Sequence, residues 1–418
     1  MRPMRMKWIA FVPIVAFSTA GKGKELADPL SLAEVIDILR RQNPEIIERR
    51  ERARAASARP GSIQPDDPTL SLEWWQQPIS FSQVPIMATV RQPLPWPGKL
   101  NARREVALRE AATQRDQIAQ VGRRLEAEAK RAFFEILLAE RRLGINSRVQ
   151  TLLRAMVASA EAKYRSGQVP QVDILTTQTE LLTLDNEGLD LERERNEQRA
   201  RLNALLNRSS DEPLSLRAAE LQPASVLPLS ELLDRARTHN PEIALARDAL
   251  REAESRLALA RRETNPELNV WAGYMVMVYG VDTFTAGVSS TLPLFSRQKK
   301  TSQIGAAEAE VAALRAALVA QERRTEWALK TALLEIEAAK RHAKLHAEKI
   351  IPLAELSLQS ASAAYQNGQS ELFAVLNAAR MVREHHLEHE RYLIEQQRWR
   401  VELELALGED LALPEKGL

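Results

Sequence analysis

The stretch Tyr164-Arg165-Ser166-Gly167-Gln168 recurs about 200 residues later as Tyr365-Gln366-Asn367-Gly368-Gln369. An earlier motif, Asn43-Pro44-Glu45-Ile46, returns at a similar offset as Asn240-Pro241-Glu242-Ile243. The order of these motifs is the same in both halves, so the sequence predicts an internal duplication. We place the first structural repeat at residues 21–220 and the second at residues 221–418.

Long helical segments lie on either side of each glycine motif. The segment Lys99–Arg165 contains no proline, which predicts one helix of about 67 residues and roughly 100 Å. A second proline-free segment, from Gln171 to Asn207, is predicted to run back beside it. Glycine after a helix supplies the left-handed conformation that ends it, so a tight turn is expected at Gly167.

The second half repeats this pattern. Residues 298–365 are predicted to form a long helix in which Pro352 produces a kink or a local irregularity. A returning helix is predicted over residues 369–407, after a turn at Gly368. The fold class is therefore mainly α, with duplicated long antiparallel helical hairpins and a small β part.

Each half is predicted to begin with one helix, and four segments between this first helix and the long helix of each half have β character. They are Thr69–Trp74, Val84–Gln92, Val270–Tyr279 and Thr285–Leu292. Tilted strands of this approximate length can cross an outer membrane, and aromatic side chains near their ends suit the two membrane interfaces: Trp74, Trp75, Trp96, Trp271 and Tyr279. The alternative is a small soluble sheet packed on the helices.

Four strands are too few to close a barrel. An open strand edge in hydrocarbon would leave backbone N–H and C=O groups unpaired, at a cost of several kcal/mol each. If the strands are membrane strands, they must therefore be shared between chains. Three protomers would supply a twelve-stranded trimeric β-barrel and six helical hairpins.

Composition excludes several classes of protein. The formal net charge is +2, with acidic and basic residues interspersed, so we expect no nucleic-acid partner. The chain has no cysteine, which excludes thiolate metal sites and a cysteine nucleophile. No nucleophile motif, phosphate-binding loop or dinucleotide fingerprint occurs, so we predict no enzymatic activity, no catalytic residues and no cofactor.

Residues 1–20 have the features of a secretory signal peptide. Basic residues precede an apolar run from Trp8 to Phe17, and small residues follow before Ala20, where we expect cleavage. A retained membrane anchor is the alternative, although the apolar run is short for a membrane span.

The duplicated motifs resemble those of TolC-like outer-membrane efflux proteins over the whole mature chain. The segment Gln92–Lys99 is similar to the strand-to-helix junction of the heavy-metal branch, the CzcC or CusC type. This resemblance implies an outer-membrane location with a long periplasmic portion, a homotrimer embedded in outer-membrane lipid, and docking to a periplasmic adaptor protein and an inner-membrane pump of the RND type. The implied function is a passive exit duct of a tripartite efflux system, with heavy-metal cations among the conceivable solutes.

The resemblance also implies a gate at the periplasmic hairpin tips. Motif by motif, it places there Tyr164, Gly167, Gln168 and Asp173 in the first half, and Tyr365, Gly368 and Gln369 in the second. Ser370, Ala374 and Asn377 stand where other members can carry one basic and two acidic residues. We therefore predict a gate held by packing and neutral hydrogen bonds, with little sensitivity to salt or divalent cations.

Two alternatives remain open at this stage. Histidines of the second hairpin, His342, His346, His386 and His389, could approach one another, since His346 and His389 lie at nearly equal distances from Gly368. They form either a metal site or interfacial contacts with Glu384, Glu388 or Glu390.

The alternative function for the whole protein is a periplasmic coiled-coil scaffold or adaptor that conducts nothing.

Overall fold

The computed structural model describes residues 29–74, 86–217, 227–276, 281–291 and 297–411. The signal peptide predicted at residues 1–20, Trp75, Val84, Tyr279 and Leu292 lie outside these ranges. The first half contains α1 Leu32–Gln42, α2 Pro44–Ser62, β1 Thr69–Trp74, β2 Ile86–Leu94, α3 Lys99–Arg165 and α4 Gln171–Leu205. The second half contains α5 Leu229–His239, α6 Pro241–Arg262, β3 Leu268–Val276, β4 Thr283–Ser290, α7 Arg297–Leu345, α8 Ile351–Gln366 and α9 Leu372–Leu407.

The long helices match the sequence prediction closely. Helix α3 spans 67 residues with the predicted bounds. The second long helix is divided by a π-helical segment, His346–Ile350, which ends two residues before Pro352. The irregularity predicted around Pro352 is thus confirmed, because proline cannot supply the N–H that a regular α-helix would use there.

The prediction of a single helix at the start of each half is wrong. Two helices occur instead, and they meet at the asparagine of the Asn-Pro-Glu-Ile motif. Asn43 accepts hydrogen bonds from the N–H groups of Glu45 and Ile46, and it donates one to the Leu205 carbonyl at 2.8 Å. Asn240 repeats this arrangement and donates to the Ala406 carbonyl at 2.6 Å. The repeated motif therefore caps a helix and ties it to the end of the returning helix.

Replacing Asn43 with alanine is expected to destabilise the protein by about 2 kcal/mol, since it removes a helix cap and leaves buried backbone groups unpaired. Asn43→Ser keeps a side-chain oxygen as the cap acceptor, adds no charge and loses the amide donor to Leu205, so its cost should be smaller. Urea unfolding of the detergent-solubilised variants measures both. Equal stability of Asn43→Ala and the parent would contradict this assignment of the motif.

The long helices form one layer in the order α4, α3, α9 and then α7 with α8. Helix α3 packs against α4 on one side and α9 on the other, and α9 packs in turn against α7 and α8. A core around Phe133 and Ile136 of α3 receives α1, the end of α4, and Ile394 and Val401 of α9. Helices α4 and α7/α8 are consequently the two outer edges of the layer.

A partly buried ion network links α3 to the end of α9. Lys130 donates to Glu404 at 2.6 Å and to Asp410 at 2.7 Å, and Arg400 reaches Glu404 at 3.1 Å. Burial alone would raise the pKa of Asp410, but hydrogen bonds and charges from Lys130 and Arg123 outweigh it and lower the pKa to about 2. A depressed carboxyl pKa adds stability above its unfolded value, so this network stays intact until strongly acidic pH.

Candidate functional site

The four strands form one antiparallel sheet in chain order. Strand β2 pairs with β1 on one side and β3 on the other, and β4 pairs with β3. The outer strands β1 and β4 have no strand partner on their far sides within the described ranges. The sheet therefore has two open edges, each a row of backbone groups that can accept another strand.

One face of the sheet is apolar and exposed. The register places Leu72, Ala88, Tyr274 and Phe284 in one row across the strands. Neighbouring rows on this face are similar, and ten of its large side chains are 43% to 72% exposed: Leu70, Leu72, Trp74, Ile86, Val90, Leu94, Tyr274, Val276, Phe284 and Val288. Such a continuous apolar surface marks an interaction site. Within the described strands, Gln92 and Ser290 of this face are polar and lie near its helix-facing end, and the Tyr274 hydroxyl donates to Asp282 at 2.7 Å near the other end.

The opposite face is mostly polar. Its residues include Ser71, Glu73, Thr89, Arg91 and Thr285, which alternate with the apolar set along each strand. The prediction that Trp271 lies in an interfacial aromatic belt is wrong, because the register places it on this polar face. Its indole lies against the neighbouring strand, where a Cβ on Gly287 would come within 2.8 Å of the ring.

The two hairpin turns lie at the predicted glycines. Gly167 and Gly368 have φ values of 73° and 71°, the left-handed conformation that ends a helix. The following N–H groups close the turns: Gln168 donates to the Lys163 carbonyl and Gln369 to the Ala364 carbonyl, both at 2.9 Å. The turn positions are thus confirmed, whereas the gating role of these residues stays a prediction.

The tyrosines of the two glycine motifs have different surroundings. Tyr365 is buried and packs with Leu153, Leu372 and Leu376, whereas Tyr164 is 45% exposed. Lys163 of the first hairpin donates to the Tyr365 carbonyl at 3.0 Å, and its ammonium lies 4.1 Å from the ring centroid. Tyr365 therefore holds the two tips together through packing and a cation–π contact.

Other predicted gate residues lie around this contact. Asp173 is half-buried; burial and the nearby charge of Glu371 raise its pKa. Burial and the charge of Asp173 in turn raise the pKa of Tyr365. Gln168, Gln369, Ala374 and Asn377 are exposed, and the Ser370 hydroxyl makes only a long hydrogen bond, 3.4 Å, to the Glu371 carbonyl. No hydrogen bond joins Ser370, Ala374 or Asn377 to the first hairpin within the described part of this chain.

The sequence did not predict two ion pairs that join the hairpins. Arg380 of α9 forms two hydrogen bonds with Glu180 of α4, and Arg383 pairs with Glu187. The Arg380–Glu180 pair lowers the pKa of Glu180 through its hydrogen bond. The repeat offset could have revealed this pair, because Glu180 and Arg380 lie at nearly equal distances from their turns.

The raised pKa of Asp173 makes a testable prediction. An acid whose folded pKa exceeds its unfolded value loses stabilisation as pH rises through the interval between them. We therefore expect the tips to open more readily at pH 7 than at about pH 4, close to the ordinary pKa of an aspartate, and Asp173→Asn to remove this difference. Hydrogen exchange of residues 160–175, corrected for intrinsic rates, measures the opening. The same pH dependence in Asp173→Asn would contradict the prediction.

The histidines lie along α7, the π-helical segment and α9. His346 is buried and contacts His385, with ring centroids 5.5 Å apart, and His342 stacks on Tyr392 at 4.8 Å. His386 approaches Glu355 at 3.1 Å. Burial lowers the pKa of His389. Among the residues described, no three His, Cys, Asp or Glu side chains are arranged to hold a metal ion.

The glutamates predicted to satisfy these histidines have other partners. Glu388 pairs with Arg391 at 2.5 Å, and Glu390 pairs with Arg141 of α3 at 2.6 Å. Among the described residues, neither carboxylate forms a hydrogen bond with one of these histidines, although the charge of Glu390 acts on His389 and opposes the effect of burial on its pKa. The reason is that the returning helix turns these carboxylates towards arginines, which are always charged and offer several donors.

None of the helices in the described ranges combines the length and apolar character that a membrane span needs. The family model for outer membrane efflux proteins matches residues 76–208 and 232–409. No curated protein sequence matches this chain.

The fold is similar to that of several solved channels. The outer-membrane channel OprN superposes with a TM-score of 0.79 and 18% identity, over 90% of this chain and 89% of OprN. CusC has a TM-score of 0.79 and 16% identity, over 90% and 92% of the two chains. The outer membrane protein VceC from Vibrio cholerae has a TM-score of 0.77 and 16% identity, over 91% and 96%. Since the family model matches most of the sequence and the duplicated fold agrees with it, this chain belongs to the outer membrane efflux protein family.

Proposed function

We propose that three copies of this chain assemble into the exit duct of a tripartite efflux system. The observation that carries the proposal is the sheet, which combines one apolar exposed face with two open edges. Lipid tolerates such a face only if both edges are paired. Joining β4 of one copy to β1 of the next would pair them, and three copies would close a twelve-stranded barrel with its polar face towards the lumen.

The protein is an outer-membrane efflux channel protein with a long periplasmic helical part, and it is not an enzyme. In the proposed trimer, the six hairpins continue the duct into the periplasm. Passive conduction then requires only a continuous lumen, with the driving force supplied by a pump elsewhere.

Apolar stripes on the two outer edges of the helical layer support this assembly. On α4, Leu175, Leu182 and Leu189 recur every seven residues and are 53% to 66% exposed. On α7 and α8, an exposed stripe lies opposite the face that packs on α9: Trp327, Leu334, Leu345, Leu353 and Leu356. Two different stripes on opposite edges suit a head-to-tail contact that closes into a ring.

The leucines of the two stripes also lie at matching distances from their hairpin turns. Leu182 and Leu353 each lie fifteen residues from the glycine of their own turn, and Leu189 and Leu345 lie 22 and 23 residues away. Because α-helices rise 1.5 Å per residue, these pairs would meet at the same level when neighbouring tips are aligned. We propose that α4 of one protomer packs against α7 and α8 of the next.

The partners and the gate belong to the same proposal. A periplasmic adaptor protein and an inner-membrane pump of the RND type would dock on the helical end, and the tips around Tyr365, Lys163 and Asp173 would close it. The contacts at these tips are mainly apolar packing and a cation–π pair, which favours a gate with little sensitivity to divalent cations.

The Gln92–Lys99 motif suggests heavy-metal cations as the cargo, and this stays a prediction.

The decisive experiment is detergent extraction of the outer membrane, followed by mass measurement of the unheated particle and by planar-bilayer recording. We expect a trimer that dissociates on heating and forms ion-conducting channels. A soluble monomer without conductance would favour the non-conducting scaffold instead.

A further inference from the structure

Charged side chains are rare on the sheet. Within the described strands, Arg91 of β2 is the one basic residue and Glu73 of β1 is the one acidic residue. Both lie on the polar face, since Arg91 is directly opposite Thr69 and Trp271, and Glu73 is opposite Met87. If the sheet forms a trimeric barrel as proposed above, each residue becomes a ring of three like charges in the lumen.

Arg91 is exposed and unpaired. Its guanidinium forms no ion pair or hydrogen bond with any residue in the part of the chain that the structure describes, since the Thr69 hydroxyl donates to the backbone carbonyl of Arg91 and not to its side chain. Arginine is the most weakly hydrated cationic side chain and binds carboxylate or phosphate with two parallel hydrogen bonds. An unpaired guanidinium is therefore available to a passing anion.

The residues beside Arg91 in its row leave space for its side chain in the proposed lumen. Trp271 faces Arg91 across β2 and β3, and Gly287 follows in the same row on β4. The indole lies flat over Gly287, in space that any side chain there would occupy. The aromatic ring would thus lie along the wall of the proposed barrel, Thr69 is short, and Arg91 is the one long charged side chain of this row.

The acidic ring lies too far away to neutralise the basic one. Arg91 and Met87, the cross-strand neighbour of Glu73, are four residues apart on β2, which corresponds to about 13 Å. This distance exceeds the Debye length of about 10 Å at 0.1 M salt. Arg91 lies three residues from the helix-facing end of its strand, so among the charged residues of the strands it is the first that solutes leaving the helical tunnel would meet.

We infer that Arg91 is a specificity-determining residue of the duct, which favours anionic solutes at the inner end of the barrel. The ring lowers the electrostatic barrier for small organic or inorganic anions and raises it for free cations, so it disfavours the hydrated heavy-metal cations that the Gln92–Lys99 motif suggests as cargo. This inference rests on the proposed trimeric channel.

Reversal potentials of single channels in a KCl gradient test the inference. Three guanidiniums about 10 Å from the lumen axis should change the chloride-to-potassium permeability ratio by about threefold near 0.1 M salt, where screening is incomplete. We expect Arg91→Gln to lower this ratio by that factor, and Glu73→Gln to raise it. The effect should largely vanish at 1 M KCl, where the Debye length is about 3 Å.

The possible failures are distinguishable. Arg91→Gln channels with the parental permeability ratio at low salt would overturn the inference and leave the channel itself established. If the parent protein forms no channels, the proposed function fails instead. Should Arg91→Gln assemble poorly, Arg91→Lys serves as the second variant: it keeps the charge, so the inference requires the parental ratio, and a fall to the ratio expected for Arg91→Gln would overturn it.

Discussion

Lysine in place of Leu72 is expected to reduce sharply the amount of heat-dissociable trimer recovered from the outer membrane. Leu72 is 60% exposed at the middle of β1, within the apolar face of the sheet. A lysine on the lipid face near the bilayer midplane costs about 2 to 4 kcal/mol, and the assembly would carry three copies. The measurement is the trimer fraction of unheated membrane extracts, together with the urea midpoint for folding into liposomes.

Ser71→Lys is the matched control. Ser71 is the preceding residue of the same strand, and its side chain points to the opposite, polar face. We expect this variant to assemble and fold as the parent does, since its lysine would reach water in the lumen. Equal losses for the two variants would show that lipid does not cover the apolar face, and the membrane assignment of the sheet would then fail.

Leu182→Asp is expected to leave the protein monomeric. Leu182 lies at the centre of the α4 stripe and is 66% exposed in the single chain, so its apolar surface is available to a neighbouring copy. Burying a leucine contributes about 1.5 to 3 kcal/mol, and a carboxylate in its place adds a desolvation cost at each of three contacts. Native mass measurement or analytical ultracentrifugation in detergent determines the oligomeric state.

Two further variants sharpen this test. Thr183→Asp adds the same charge to an exposed residue one position away, outside the stripe, and should leave the trimer intact. Adding Leu353→Lys to Leu182→Asp should restore part of the assembly, because the proposed register brings the two side chains to one level. Trimers formed by Leu182→Asp alone would contradict the interface, whereas absence of rescue would contradict only the register.

The helical part was predicted well because its signals are local. The bounds of α3 follow from a proline-free segment that ends at a glycine, and both turns lie at the repeated glycine motifs. The break between α1 and α2 was missed, although Asn43 before Pro44 is a strong helix-start signal. Its role became evident once the Asn43 amide was seen to reach the Leu205 carbonyl, 162 residues away.

The strands were harder to place. Strand β1 has the predicted bounds, but β2 ends two residues later than predicted, and β3 and β4 begin two residues earlier, because short alternating segments carry weak boundary signals. Alternation indicates that a strand has two faces, but the assignment of Trp271 to one of them depends on the cross-strand register. That register is set by pairing with Arg91 and Gly287, which are distant in sequence.

The amino-acid order alone was sufficient for the duplication, the long helices, the turns and the absence of enzymatic motifs, since helix formation and termination depend on residues a few positions apart. The faces of the sheet, the Lys163–Tyr365 contact and the Glu180–Arg380 pair required the folded chain. These features join residues on separate helices or strands, and their geometry is set by how whole elements pack. Tyr365 and Asp173 were named as gate residues from the sequence, whereas Lys163 at the tips and Arg91 in the sheet were identified only in the folded chain.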